Sequence, residues 1–431
     1  MPRTVNRGRP LAGPRTMAVP LVLLLASLAA AGCGSEGESG GTDAGTGAGP
    51  ADDPATGQRG GACTYILSGG ISSPTRLIDS PGDCDYELSG WVEIRSLLTI
   101  DPGVVVRARA DQRLILNGGE IRAIGTADKR ITLEGATAVQ GFWRGIDIRR
   151  GRAAVFDYVD IRDAGQVCSI IFCPDVGVLV DDTPLAFTNS SVSNSYVNGM
   201  SIGDDAELSA FSNNRFFANG RHGLAVGHRH IPALDQASDY LGIGAENGRP
   251  SVGVHSGSQT MGQVFRWKRL NAPYLIAPYF EVEGGILQLD PGVEIQFGEE
   301  AWMNVKGNGV LQAMGTAESP VVLRGRVAQP GYWDGIRFDD SPWNNNVLQH
   351  VTLSHSGNDA GLISAYAAIS LDESRVQISN SAFTDNARWG ILCNDPDDYP
   401  YVASVIVDGG GNGFAGNASG NVDAHCSVRA P

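Results

Sequence analysis

Over most of the chain, apolar and polar side chains alternate in runs of four or five residues, and no stretch keeps the 3.6-residue period of an amphipathic helix. Leu98 and Ile100, Val104 and Val106, Leu114 and Leu116, Ile146 and Ile148 are such pairs, set between glycine, asparagine, aspartate and proline. Alternation of this length predicts short strands with one buried face. The 57 glycines suit a chain that turns every few residues. Two stretches about 190 residues apart are versions of one another. The first carries Asp101-Pro102-Gly103, then Gly125-Thr126-Ala127, then Gly141-Phe142-Trp143-Arg144-Gly145-Ile146. The second carries Asp290-Pro291-Gly292, Gly315-Thr316-Ala317 and Gly331-Tyr332-Trp333-Asp334-Gly335-Ile336. Three landmarks in one order with nearly equal gaps mean that a large unit occurs twice.

Within each copy lies a shorter repeat. Asn189, Asn213 and Asn380 each open an Asn-x-x-apolar run that leads, six residues on, to Gly-apolar-x-apolar at Gly199, Gly223 and Gly390. A period of 22 to 24 residues holding two or three short strands points to a solenoid. One such coil cannot close a core, but coils stacked at the strand spacing of about 4.8 Å make a continuous apolar cylinder. Asparagine at the turn tolerates left-handed geometry and, stacked on its counterparts, passes amide hydrogen bonds along the axis. The pattern resembles the right-handed parallel β-helix family shared by pectate lyases, polygalacturonases and many bacterial surface proteins. More narrowly, the Ile-Asp-Pro-Gly-Val, Gly-Thr-Ala and Trp-x-Gly-Ile series resembles the β-helix repeat proteins found as exported bacterial lipoproteins. The resemblance covers roughly residues 80–393 and implies an all-β fold: a right-handed parallel β-helix of about twelve coils, about 60 Å long, in two homologous halves. The halves fall at 63–226 and 266–431, the second with a C-terminal cap, and residues 227–265 between them read as a connecting excursion.

The N-terminus carries Arg3, Arg7, Arg9 and Arg15 ahead of a short apolar run and the sequence Ala30-Ala31-Gly32-Cys33. This resembles a bacterial lipoprotein signal, which makes 1–32 a leader and Cys33 the acylated residue; the alternative is an ordinary signal peptide cut near Ala31. Residues 33–62, rich in Gly, Ser and Thr, form a flexible tether. The expected address is the bacterial outer membrane or cell surface, or its periplasmic face, with membrane contact only through the lipid. Without the four leader arginines the chain has 28 basic against 47 acidic side chains, a charge near −19, which argues against nucleic-acid partners. The six further cysteines suit an oxidising compartment, and their spacing suggests local pairs: Cys63 with Cys84, Cys168 with Cys173, Cys393 with Cys426.

Candidate chemistry is sparse. Polygalacturonases carry an Asn-Thr-Asp, an Asp-Asp, a Gly-His-Gly and an Arg-Ile-Lys in that order, and the resemblance would place Asn189-Ser190-Ser191 at the first motif, Asp204 and Asp205 as the acid pair, His222 as the histidine and Arg266 with Lys268 as the clamp. Arg221 stands where the first glycine belongs, and no acid occupies Asn189-Ser190-Ser191. His228, His230 and Asp235 are close enough in sequence to be weighed as metal ligands. No cofactor is implied, although paired acids at coil corners leave room for Ca²⁺. Trp143 and Trp333, equivalent in the two copies, read either as packed corner residues or as sugar-stacking platforms. The resulting expectation is a non-catalytic envelope module that binds a polysaccharide or an envelope protein; the alternative is a polysaccharide hydrolase or lyase.

Overall fold

The computed structural model describes residues 58–166, 175–259, 263–341, 345–358, 366–393 and 404–431. Strand pairs with strand in parallel, each bonding to the one three places on in the chain, except that Leu224–Val226 bonds to the strand that follows it, Val252–Val254. Elsewhere successive strands therefore belong to different sheets, and each turn of the chain lays one new rung on the last. With parallel crossovers of the usual hand, this is a right-handed parallel β-helix.

One sheet runs through both halves. Its fourteen strands begin at Gly70–Ile71, pass through Gly145–Arg149, Leu224–Val226, Val252–Val254 and Tyr274–Ile276, and end at Gly413–Ala415. At about 4.8 Å per rung this makes a rod about 60 Å long. The rung count exceeds the dozen coils read from the repeat because the terminal strands, two and three residues long, are too short to show an alternation. The other two faces are interrupted. A seven-stranded sheet from Tyr65–Leu67 to Arg215–Phe217 and a six-stranded sheet from Thr75–Leu77 to Glu207–Ser212 close the first half. Two seven-stranded sheets, starting at Gly257–Gln259 and Val264–Trp267, close the second. The break falls within 227–265, where a 3₁₀ helix, His228–Ala233, replaces a strand and Asp239 makes a single bridge to Arg215. Val252–Val254, inside that same stretch, stays in the long sheet.

This passage also shifts the second copy by one face. Ile131–Gly135, which follows Gly125-Thr126-Ala127, lies in the first seven-stranded sheet; its counterpart Val321–Gly325, after Gly315-Thr316-Ala317, lies in the long sheet. Homologous corners of the two copies therefore occupy different edges of the rod.

Inward side chains repeat every second residue and stack from rung to rung. Ile148, Val180, Ile202, Val226 and Val254 form one such row, and Phe156, Phe187 and Phe211 another. At the corners the asparagines do two jobs. Asn189, Asn213 and Asn380 take positive φ (50°, 54° and 49°), as the turn chemistry predicts. The buried ladder, however, is carried by neighbours: Asn219 donates to the Asn247 amide oxygen at 2.9 Å, Asn386 to that of Asn417 at 2.7 Å, and Asn214 accepts from the Ser190 N–H.

Candidate functional site

The polygalacturonase-like trio does not assemble. Asp204 follows the strand Asn198–Ile202; its carboxylate faces the Arg229 N–H at 3.5 Å and His228 Nδ1 at 3.4 Å. Burial raises the Asp204 pKa, but the nearby His228 imidazole and that N–H more than offset it and hold the group below its ordinary value. Asp205, beside it, is exposed at the turn. His222 is 6% exposed, with Nδ1 3.0 Å from the Ser251 carbonyl, which makes that nitrogen the donor in the neutral ring. Burial, reinforced by Arg249, Arg221 and Arg326, pushes its pKa down to about 4. The charges around His222 are thus arginines, and Asp204 answers to a different histidine. The clamp is likewise engaged elsewhere: Arg266 pairs with Asp290 at 2.6 Å, and Lys268 Nζ donates to the Pro232 carbonyl. Nothing here positions an acid and a base on opposite sides of a glycosidic bond.

The metal candidates separate in the same way. His230 Nε2 bonds the Gly203 carbonyl, and Asp235 caps a turn by accepting from the Asn213 and Ala237 N–H groups and from Ser238. His228 is buried between Phe265 and Phe280, and its Nδ1, 3.4 Å from Asp204, makes no hydrogen bond. Among the described residues, no group of three or more His, Cys, Asp or Glu side chains is placed to hold a metal ion.

Trp143 and Trp333 are 1% and 0% exposed, so neither presents a face to a sugar. Each indole N–H donates to a carbonyl on the next rung, of Arg162 at 2.8 Å and of Ser354 at 2.9 Å, and Trp333 stacks on Phe297 with centroids 3.8 Å apart. Their recurrence reflects packing: the indole plugs the corner where the chain leaves one sheet for the next. Cys63 bonds Cys84 and Cys393 bonds Cys426, which fits an extracytoplasmic, oxidising compartment. Cys33, Cys168 and Cys173 lie outside the described residues.

Two surface features went unread in the sequence. On the outer side of the long sheet, Trp91 is 55% exposed, its N–H directed at the Asp111 carbonyl, with the Arg113 and Arg144 guanidinium groups each 5.7 Å from its ring centroid. Further along the same strands, Asn117, Asp147, Arg149 and Arg150 line a pocket of about 180 Å³. Asp147 is buried and accepts from Arg149 Nε at 2.6 Å, with Arg113 at 3.5 Å; Asn117 donates to Glu93 at 2.6 Å. Burial lowers the Arg113 pKa, and the charges of Arg144 and Arg149 add to the effect against Asp147. Arg113 and Arg149 thus share the one carboxylate of Asp147, while Arg144 reaches Asp111 at 3.4 Å. The alternation could have found this strip, because Val92 and Ile94 point inward and so place Trp91 and Glu93 outside. The second feature is a notch over Ser191 and Ser193, lined also by Arg130, Asp160, Arg215 and Phe217. Its arginines are matched by acids, Arg130 by Asp160 at 2.8 Å and Arg215 by Asp239 at 3.7 Å, which leaves a nearly neutral polar surface.

No family model matches the chain. Over 142 residues, 31% of its length, it is 29% identical to Protein bark beetle of Drosophila melanogaster, and it spans only 4% of that relative. Among solved structures, the periplasmic alginate epimerase AlgG aligns over 80% of this chain and 76% of its own, at 10% identity and a TM-score of 0.18. The A-module of the mannuronan C-5 epimerase AlgE4 of Azotobacter vinelandii aligns over 86% and 91%, at 15% identity and a TM-score of 0.18. Alignments at these values carry no argument about chemistry. By its own strand pairing and disulfides, the chain is a parallel β-helix of an oxidising compartment.

Proposed function

We propose that this protein is a non-catalytic extracytoplasmic binding module that holds a glycan against the outer face of its long sheet. The observation that carries the reading is Trp91: an exposed indole flanked by Arg113, which reaches the buried Asp147 in the wall of a pocket that also offers Asn117, Arg149 and Arg150. An apolar ring face next to convergent hydrogen-bonding groups suits the two sides of a pyranose, its C–H face and its hydroxyls. With Arg113 and Arg149 sharing one carboxylate and Arg150 beside them, the strip favours a sugar that bears negative charge. The dispersal of Asp204, Asp205 and His222 weighs against the hydrolase or lyase alternative.

Affinity electrophoresis of the folded chain through gels containing neutral or carboxylated polysaccharides tests the reading. Retardation by at least one polymer, lost in Trp91→Ala and unchanged in Asp204→Ala, is expected; retardation that survives Trp91→Ala would overturn it. Release of reducing ends or unsaturated products by the same samples would replace the binding role with an enzymatic one. The lipid anchor at Cys33 belongs to this proposal and has its own check. Cys33→Ser should move the protein from the membrane to the soluble fraction and lower its mass by the acyl chains, and an unchanged fractionation and mass would remove the anchor.

A further inference from the structure

The chain has 47 acidic against 32 basic side chains, and arginines such as Arg130 and Arg266 each sit beside an acid, Asp160 and Asp290. Arg221 and Arg249 do not: neither makes an ion pair among the described residues. They stand at the same place in successive coils. The Arg249 N–H donates to the Arg221 carbonyl at 2.8 Å, and the strands that follow them, Leu224–Val226 and Val252–Val254, pair in the long sheet. Two like charges are thus stacked one rung apart, their backbones about 4.8 Å from each other, which costs stability where no acid answers them. Burial lowers the Arg249 pKa, and the charges of Arg221 and Arg326 add to the effect. Arg326 itself donates to the Tyr332 hydroxyl at 2.9 Å. Beside the pair, His222 is locked by its bond to the Ser251 carbonyl, with Cδ2 so near Gly253 that a Cβ there would stand 3.2 Å away. Arg221 and Arg326 are exposed and Arg249 is half-buried, so all three are open to solvent.

We propose that Arg221 and Arg249 form a receptor for a phosphoryl group, free or carried as a monoester. Stacked like charges with no acid between them break the rule by which neighbouring strands pair their side chains, and such breaks mark places where a ligand supplies the missing partner. Two guanidinium groups call for two negative charges. A phosphate monoester brings about −1.5 to −2 at neutral pH and three acceptor oxygens, enough for a fork from each arginine. A single carboxylate brings one charge and two oxygens, and so satisfies one arginine. Arg326 adds to the positive potential that draws the anion in. His222, tied across to Ser251, fixes the spacing of the two coils before the ligand arrives. Leu224–Val226 lies five strands along the long sheet from Val92–Ile94, so the site uses none of the residues around Trp91, and it stands or falls apart from glycan binding there.

The test is isothermal titration calorimetry of the full chain at one ionic strength set with sodium chloride. Inorganic phosphate and glucose 6-phosphate are the probes, and acetate is the monoanion control. Saturation of one site by phosphate is expected, with acetate at least tenfold weaker. Arg249→Gln should weaken phosphate at least tenfold, and Arg221→Gln combined with Arg249→Gln should abolish its binding. Saturation by both probes assigns the site to the phosphoryl group itself, by glucose 6-phosphate alone to an ester, and by inorganic phosphate alone to the free ion. Urea unfolding of the same samples separates a receptor from a structural pair. Removing one of two like charges should leave the midpoint unchanged or raise it, and phosphate should raise it in the wild type and not in the double variant. The proposal is overturned if neither phosphate saturates, if acetate binds as tightly, if the double variant still binds, or if the variants unfold at lower urea.

Discussion

His222 makes the stability of the rod depend on pH in a direction that can be worked out. Its folded-state pKa lies near 4 against an ordinary value of 6.5, chiefly because the ring is buried, with Arg249, Arg221 and Arg326 making protonation harder still. A lowered histidine pKa means that the unfolded chain holds the extra proton between those two values. The neutral ring therefore contributes fully above about pH 6.5, and stability is lost as pH falls towards 4. At about 1.4 kcal/mol per pH unit, the shift of roughly 2.5 units bounds the loss at about 3 kcal/mol, most of it spent by pH 4.5. Carboxylates titrate over the same range, so the wild-type curve alone does not isolate the effect. His222→Asn does, since its amide N–H can still reach the Ser251 carbonyl that accepts from Nδ1 and the side chain does not titrate. Urea unfolding followed by far-ultraviolet circular dichroism at pH 7 and at pH 4.5 gives four free energies. The wild type should lose about 2 to 3 kcal/mol more than the variant between the two pH values. Equal losses, or a wild type that gains on the variant as the pH drops, would refute the reasoning.

Three further outcomes follow from the packing. Trp333→Ala empties a buried corner against Phe297 and should cost about 3 to 5 kcal/mol in urea unfolding, while Trp91→Ala, on the surface, should stay within about 0.5 kcal/mol of wild type. Arg59→Ala removes the counter-charge that reaches both Glu134 at 3.1 Å and Asp163 at 2.7 Å; Glu134 keeps Arg107 and Arg162, so the loss should be about 3 kcal/mol. Burial already raises the Asp163 pKa, and without Arg59 the penalty falls on its ionised form, so this loss should shrink as pH falls through that pKa; a loss that grows in acid would contradict it. Cys393→Ser with Cys426→Ser, which opens a loop of 33 residues, should lower the unfolding free energy by about 3 to 4 kcal/mol, read from urea curves against the wild type.

What was legible in the sequence was whatever recurs along it. Alternation at Val92 and Ile94 or Ile146 and Ile148 specifies a buried face without reference to anything distant, and a period of 22 to 24 residues specifies that such faces must stack. The Asp-Pro-Gly turns, the asparagines at positive φ and two disulfides also follow from local chemistry or short spacing. Position across rungs was decided only by the tertiary structure, because residues that touch there lie 20 to 35 places apart and a slip of one face rearranges every pair. Asp204 and His222, adjacent in a motif-like reading, were sent to different partners by that stacking, while Trp91, Arg113 and Arg144 were brought together.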